Sequence, residues 1–250
     1  MPSRKLSIRQ FQHCLVEIME EKHHWAWPMI VGPAISKAQL KIHYQQEYAV
    51  YVRDFPVFLA RIHGKNPPFA VRRMLAENIY EEDTGKLSVG FSHPDLFLKM
   101  MEGLGFQTHD FQNIRLLVGA RRYRAWLDKI SYDSDWVMGA AVFTIFVEGS
   151  VNDREELTQG VRRKSAKYIQ RKLRHHPLVQ YHGVPLGAMD LIRAHQMVES
   201  GHRHDAYDIV LNYTTSRAHQ EKILKVLRKT LQIWMHYRNG VAKACGFTLK

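Results

Sequence analysis

Apolar residues recur at helical spacing along almost the whole chain, and no other feature restricts the fold as strongly. In the last segment Ile223, Leu227, Leu231 and Trp234 follow one another at intervals of four, four and three, which places them on one face of a helix. Ser216 precedes that run as an N-cap, and Gly240 or Gly246 can end it. Ser36 opens another long run through Leu40, Tyr44, Tyr48 and Tyr51, with a bend or break expected near Pro56. The same patterning predicts helices over Ile8–His23, Phe69–Glu82, Pro94–Leu104, Asp110–Ile130, Asp135 to about Arg174, and Pro185–Tyr213. Breakers such as Gly32-Pro33, Asn66-Pro67-Pro68, Thr84-Gly85, Gly105 and His175-His176-Pro177 fall between these runs. No stretch alternates as a half-buried strand does, and there is no repeat or long linker. Seven to eight helices with short connections predict an all-α bundle, with residues 1–250 as a single domain.

The chain has 250 residues, 45% hydrophobic and 24% charged, a balance that supports a sizeable core. Met1–Phe11 carries no apolar signal-peptide core, and the most apolar stretch, Val137–Val147, is too short to span a bilayer, so no membrane association is expected. Cys14 and Cys245 are too few and too far apart for a disulfide framework or thiolate zinc site, which suits a cytoplasmic location. The net charge of +12 is concentrated in Arg121-Arg122-Tyr123-Arg124 and in Arg162–Arg174. Such an excess can mark a regulatory nucleic-acid binder. No zinc finger, aromatic ribonucleoprotein motif or short recognition helix accompanies it, so nucleic acid is not the expected partner. A solvated basic helix face that also attracts anionic substrates is the plainer reading.

The sharpest local pattern is His195-x-x-x-Glu199-x-x-His202. On a helix these positions share one face, and two imidazoles with a carboxylate make a chelating set for a first-row metal; an exposed polar face is the alternative. Glu148 follows Val142–Val147, a segment apolar on nearly every side. A carboxylate buried there must protonate, pair with a cation or bind a metal. A third cluster, Glu77–Gly85 followed by His93, places acids at a helix C-terminus against the helix dipole, which suggests that something positive holds one of them. Glu47 is a fourth candidate, with an exposed surface glutamate as its alternative.

Taken in order, the motifs resemble the haem-oxygenase-like di-iron oxidases and oxygenases, a superfamily that also holds the pyrroloquinoline quinone synthase and thiaminase II branches. The resemblance rests on Asp54-Phe55-Pro56, Asn78-Ile79-Tyr80-Glu81-Glu82-Asp83-Thr84-Gly85, His93-Pro94-Asp95-Leu96-Phe97, Val147-Glu148-Gly149, Tyr181-His182-Gly183-Val184 and the His195/Glu199/His202 helix. It implies a haem-oxygenase-like fold, two Fe(II) ions as cofactor and O2 as co-substrate. The implied ligands are Glu82, His93, Glu148, His195, Glu199 and His202, with Glu47 as a further candidate and Glu81 as a rival for Glu82. Glu199 stands where the family usually has aspartate. The implied activity is oxidation of a small amino-acid, amine or carboxylate substrate, by N-oxygenation or oxidative C–C or C–N cleavage, in cofactor or natural-product biosynthesis, by a homodimer. The alternative within the superfamily is metal-free oxidase or hydrolase chemistry. Tyr44, Tyr48, Tyr51 and Trp25 are candidates to line a substrate pocket, or plain core.

Overall fold

The computed structural model describes residues 4–159 and 164–249, with the side chains of residues 199 and 200 also outside the description. Every regular element among the described residues is helical. Thirteen α-helices run in the order α1 Ile8–Glu20, α2 Trp27–Ile30, α3 Lys37–Glu47, α4 Phe55–His63, α5 Phe69–Thr84, α6 His93–Gly103, α7 Val118–Asp133, α8 Trp136–Ala140, α9 Asp153–Gln159, α10 Ala166–Arg174, α11 Pro177–His182, α12 Asp190–Tyr213 and α13 Arg217–Ala244. The all-α expectation holds, but the count exceeds seven to eight because several predicted runs are divided. The run from Asp135 to Arg174 is the clearest case: it stops after Val147 and restarts at α9 and α10. Gly149 packs so closely on the Ile145 carbonyl that a Cβ would collide with it. The Asp153 carboxylate then accepts from the Ser150 amide at 2.8 Å and begins a new turn.

Local chemistry explains most helix boundaries. Ser36 and Gln39 form a reciprocal capping box at α3, and Ser216 accepts from the His219 amide at α13, as the sequence predicts. α13 continues through Gly240 and ends at Ala244, with Cys245 as its C-cap and Gly246, whose φ is 78°, just beyond it. The run through Tyr44 and Tyr51 is divided as expected near Pro56, which occupies the first turn of α4.

Two interruptions are π-helical rather than open, Tyr48–Val52 and Ala141–Val147. A π-turn inserts a residue and rotates whatever follows it out of α register, and such turns concentrate at functional sites. Both segments border the cavity described below.

Two packed clusters hold these elements. One gathers Phe11, Phe58, Leu59, Phe143, Phe146, Leu227 and neighbours from α1, α4, α5, α7, α8, α12 and α13. The other gathers Leu40, Phe97, Met101, Leu173 and Ala194 from α3, α6, α10 and α12. At about 1.5–3 kcal/mol for each fully buried large side chain, this burial dominates the stability of the helices. α12 contributes to both clusters, which fixes its polar face between them.

Candidate metal centre

Four elements direct polar side chains into one cavity of about 190 Å³. α5 contributes Glu82, the first residue of α6 is His93, the π-segment after α8 delivers Glu148, and α12 contributes His195, His202 and Arg203. Tyr51, Val52, Phe55, Val147, Leu191 and Val198 complete the wall. Glu82, His93, Glu148, His195 and His202 were all expected from the sequence, and they face one space. Among the described residues no three donors already converge at chelating distance. The Glu199 side chain lies outside the described residues; its backbone sits on α12 between the two histidines.

Glu148 owes its direction to the π-turn, since its amide donates to the Phe143 carbonyl at 3.3 Å, five residues back. Its Oε1 accepts from Asn78 Nδ2 at 2.9 Å. Burial pushes its carboxyl up to about 7, against the opposing pull of Arg203 and the Asn78 hydrogen bond. A divalent cation in the cavity would supply the positive charge this carboxylate needs to ionise.

On α5 the adjacent acids divide their tasks. Glu81 is 0% exposed and accepts from the Leu87 amide at 2.8 Å and from the Ser88 hydroxyl. The loop that donates these bonds begins at Gly85, whose φ of 59° ends α5 and which lies against the Phe91 backbone too closely for a side chain. Glu82 faces the cavity instead. His93 lies between the two, with Nδ1 2.9 Å from Glu82 Oε1 and Nε2 3.3 Å from Glu81 Oε1. Burial alone would lower the His93 pKa, but the two carboxylates outweigh it and the net shift is upward. The His93 and His195 rings meet at 5.0 Å between centroids. Burial lowers His202, with Glu82 and Asp205 opposing.

Glu47 stands apart from this group. Its Oε1 accepts from Arg238 Nη1 at 2.8 Å, its Oε2 lies 3.5 Å from His43 Nε2, and it does not line the cavity. Burial raises its carboxyl, but His43, Arg238 and a hydrogen bond from Tyr51 bring the net shift below the ordinary value. Of the aromatic candidates, only Tyr51 reaches the cavity. Tyr44 and Tyr48 pack on Phe97, and Trp25 donates to Asn239 at 2.8 Å.

Sequence reasoning missed three residues that support the site. Arg203 is only 2% exposed, donates to the Thr144 carbonyl at 2.9 Å, and lies 3.5 Å from Asp153. Its position eight residues after His195 is the signal that was available, because i+8 stays near the same helix face. Asn78 lies four residues before Glu82, again one helical turn. Lys22, by contrast, left no trace in the local sequence. Its ammonium donates to the carbonyls of Phe146, Val147 and Gly149 at 2.6, 3.3 and 2.7 Å and holds the turn that carries Glu148.

Comparison with known proteins bears on the fold and the family. A TenA homologue from Pseudomonas syringae superposes with a TM-score of 0.68 at 13% identity, covering 94% of this chain and 92% of that one. A domain of unknown function with a haem-oxygenase-like fold from Shewanella denitrificans gives 0.65 at 15% identity, covering 94% and 90%. A 4-aminobenzoate synthase from Chlamydia pneumoniae is 27% identical over 79 residues, which is 32% of this chain and about a third (33%) of the synthase. The profile described as "iron-containing redox enzyme" matches residues 42–235, a span that holds every candidate ligand. The chain therefore belongs to the haem-oxygenase-like family of iron-containing redox enzymes.

Proposed function

We propose that this protein is an O2-dependent, non-haem di-iron oxidoreductase that oxidises a small amino-acid, amine or carboxylate substrate in a biosynthetic pathway, by N-oxygenation or oxidative C–C or C–N cleavage. The observation that carries this reading is the meeting of Glu82, His93, Glu148, His195 and His202 in one cavity whose remaining wall is largely apolar. The donor set fits the metal: mixed carboxylate and imidazole ligation suits iron or manganese, where oxygen-only sets suit magnesium or calcium. Glu199 completes the set in this reading. The matched family name specifies iron, and the partial match to a 4-aminobenzoate synthase supports a biosynthetic role. When bound, the iron supplies the dioxygen and electron chemistry that amino-acid side chains lack.

The surrounding residues prepare the site. Glu81, already held by the Leu87 amide and Ser88, accepts from His93 Nε2 and directs Nδ1 toward the cavity, which supports Glu82 as the ligand and Glu81 as the orienting carboxylate in this reading. Arg203 offsets the charge of Glu148, and Lys22 fixes its turn. The wall formed by Val52, Phe55, Val147, Leu191 and Val198 is apolar, and about 190 Å³ admits only a small substrate. The reading includes a homodimer, which sedimentation analysis checks. No helix among the described residues is long and apolar enough to cross a membrane.

Anaerobic loading with ferrous ion, followed by metal analysis, tests the proposal. About two irons per chain are expected, with a clear loss in Glu148→Ala. Substoichiometric iron that Glu148→Ala leaves unchanged would refute it. Oxygen consumption that survives exhaustive chelation would favour the metal-free alternative.

A further inference from the structure

The strongest feature outside the metal cavity is a one-sided charge on its far wall. From Leu157 to Met189 the chain has no aspartate or glutamate, yet seven Lys and Arg residues lie between Arg162 and Arg174. α10 is the centre of this segment. Its Ile169 and Leu173 are buried in the second hydrophobic cluster, while Lys167, Arg171, Lys172 and Arg174 face solvent. Among the described residues none of these four cations forms a salt bridge. Tyr168 sits half-buried among them, with Arg171 and Lys172 over its ring at 5.6 and 5.7 Å.

α12 ties this surface to the metal site. A groove beside α10 is lined by Lys164, Lys167, Arg193 and Met197 among others, and Lys164 donates to Gln196 at 3.0 Å. Arg193 and Met197 are residues of α12, as are the cavity-lining Leu191, His195, Val198 and His202. At about 100° per residue, Arg193 and Met197 lie roughly opposite the cavity face. The basic groove and the metal cavity therefore occupy opposite sides of one helix, about 10–12 Å thick with its side chains.

We propose that the α10 face docks a small acidic electron-carrier protein, placing the carrier's redox group about one helix thickness from the histidines of the metal cavity. The inference rests on the function proposed above. Reduction of dioxygen to two waters takes four electrons. A two-electron substrate oxidation provides two of them, and the carrier provides the other two, with protons from solvent. Charge complementarity selects the partner. The apolar side of α10 is already buried, so it has nothing to insert into lipid. The half-buried Tyr168 and Met197 amid the cations offer the small apolar centre of a protein contact, which a run of duplex phosphates would not use.

The test uses an acidic flavodoxin as probe, with a DNA duplex and anionic phosphatidylserine vesicles as competitors. Metal-free protein is titrated with flavodoxin at low and at physiological salt. Binding should weaken steeply with salt, and Lys167→Glu/Arg171→Glu/Arg174→Glu should weaken it at least about tenfold, while Arg121→Glu/Arg122→Glu on the other basic cluster leaves it unchanged. With iron-loaded, air-oxidised protein, the flavin absorbance of reduced flavodoxin should recover more slowly by a similar factor in the α10 variant. Thermal melts confirm that these exposed changes leave the fold intact. Absent or salt-independent binding, equal binding or electron transfer by the α10 variant, or capture of the duplex or vesicles in preference to flavodoxin would each overturn the proposal. Because docking is read on metal-free protein, failed iron loading refutes the di-iron reading separately.

Discussion

Glutamine in place of Glu148 should stabilise the metal-free protein above neutral pH while weakening its hold on iron. An ordinary carboxyl of this kind titrates near 4.5, whereas burial pushes Glu148 up to about 7 in the folded protein. Well below the lower value both states keep the proton, and the group does not affect stability. Between the two values the unfolded chain releases its proton and the folded protein retains it, so stability falls as pH rises. Above the upper value both are ionised and the penalty is constant. At about 1.4 kcal/mol per pH unit, the interval from 4.5 to about 7 corresponds to roughly 3–3.5 kcal/mol. Glu148→Gln keeps an oxygen acceptor for Asn78 but cannot ionise. The chelator-treated variant should therefore gain about 3 kcal/mol near pH 8 and almost nothing near pH 4. In a thermal melt that is roughly 6–12 °C, at about 2–4 °C per kcal/mol for a chain of this size. The same variant, loaded with ferrous ion, should bind less of it, since a neutral amide is a poor substitute for an anionic ligand. Equal stability of the two metal-free proteins at the higher pH, or a gain that does not shrink on acidification, would refute this reasoning.

The two acids of α5 should separate in an iron-binding titration: Glu82→Ala should abolish tight binding at one metal position, whereas Glu81→Ala, which only orients His93, should weaken affinity by about 10–100-fold. Glu47→Ala leaves the Arg238 guanidinium buried without its carboxylate, so urea denaturation should show a loss of about 3–5 kcal/mol, with the iron content of the folded fraction retained. A loss of iron in step with stability would make Glu47 a ligand after all. Lys22→Met removes three hydrogen bonds to carbonyls on the turn that carries Glu148, and should cost about 2–3 kcal/mol in the same assay and reduce iron affinity. Unchanged iron affinity in a destabilised Lys22→Met protein would limit Lys22 to a structural role.

Much of the candidate site was legible because its ligands obey helical spacing. His195 and His202 face one way by periodicity alone, and Glu148 stood out as a carboxylate at the end of an apolar run. What periodicity could not distinguish was Glu81 from Glu82. Neighbouring residues on a helix diverge by about 100°, and the choice depends on the loop after Gly85, whose amide and hydroxyl donors hold Glu81. Nor could it separate Glu47 from the residues that line the cavity, because its partner Arg238 lies 191 residues away. The long run from Asp135 to Arg174 misled for a related reason: residues 141–147 suit a helix of either register, and tertiary packing around Gly149 sets where it stops.

The sequence by itself determined that this chain is all helical, where capped helices such as α3 and α13 begin, and which acids and imidazoles are candidates for a metal, although α7 starts at Val118 rather than Asp110 and α12 at Asp190 rather than Pro185. These follow from side-chain periodicity and capping, which act over one or two turns. Only the tertiary structure decided which candidates share a cavity, which are taken up by buried cations, and that the basic face of α10 lies across a single helix from the cavity-lining histidines. Those outcomes depend on contacts between residues far apart in the chain. Lys22 shows the difference most plainly: its role exists only because folding brings its ammonium to carbonyls 124 and 127 residues further along.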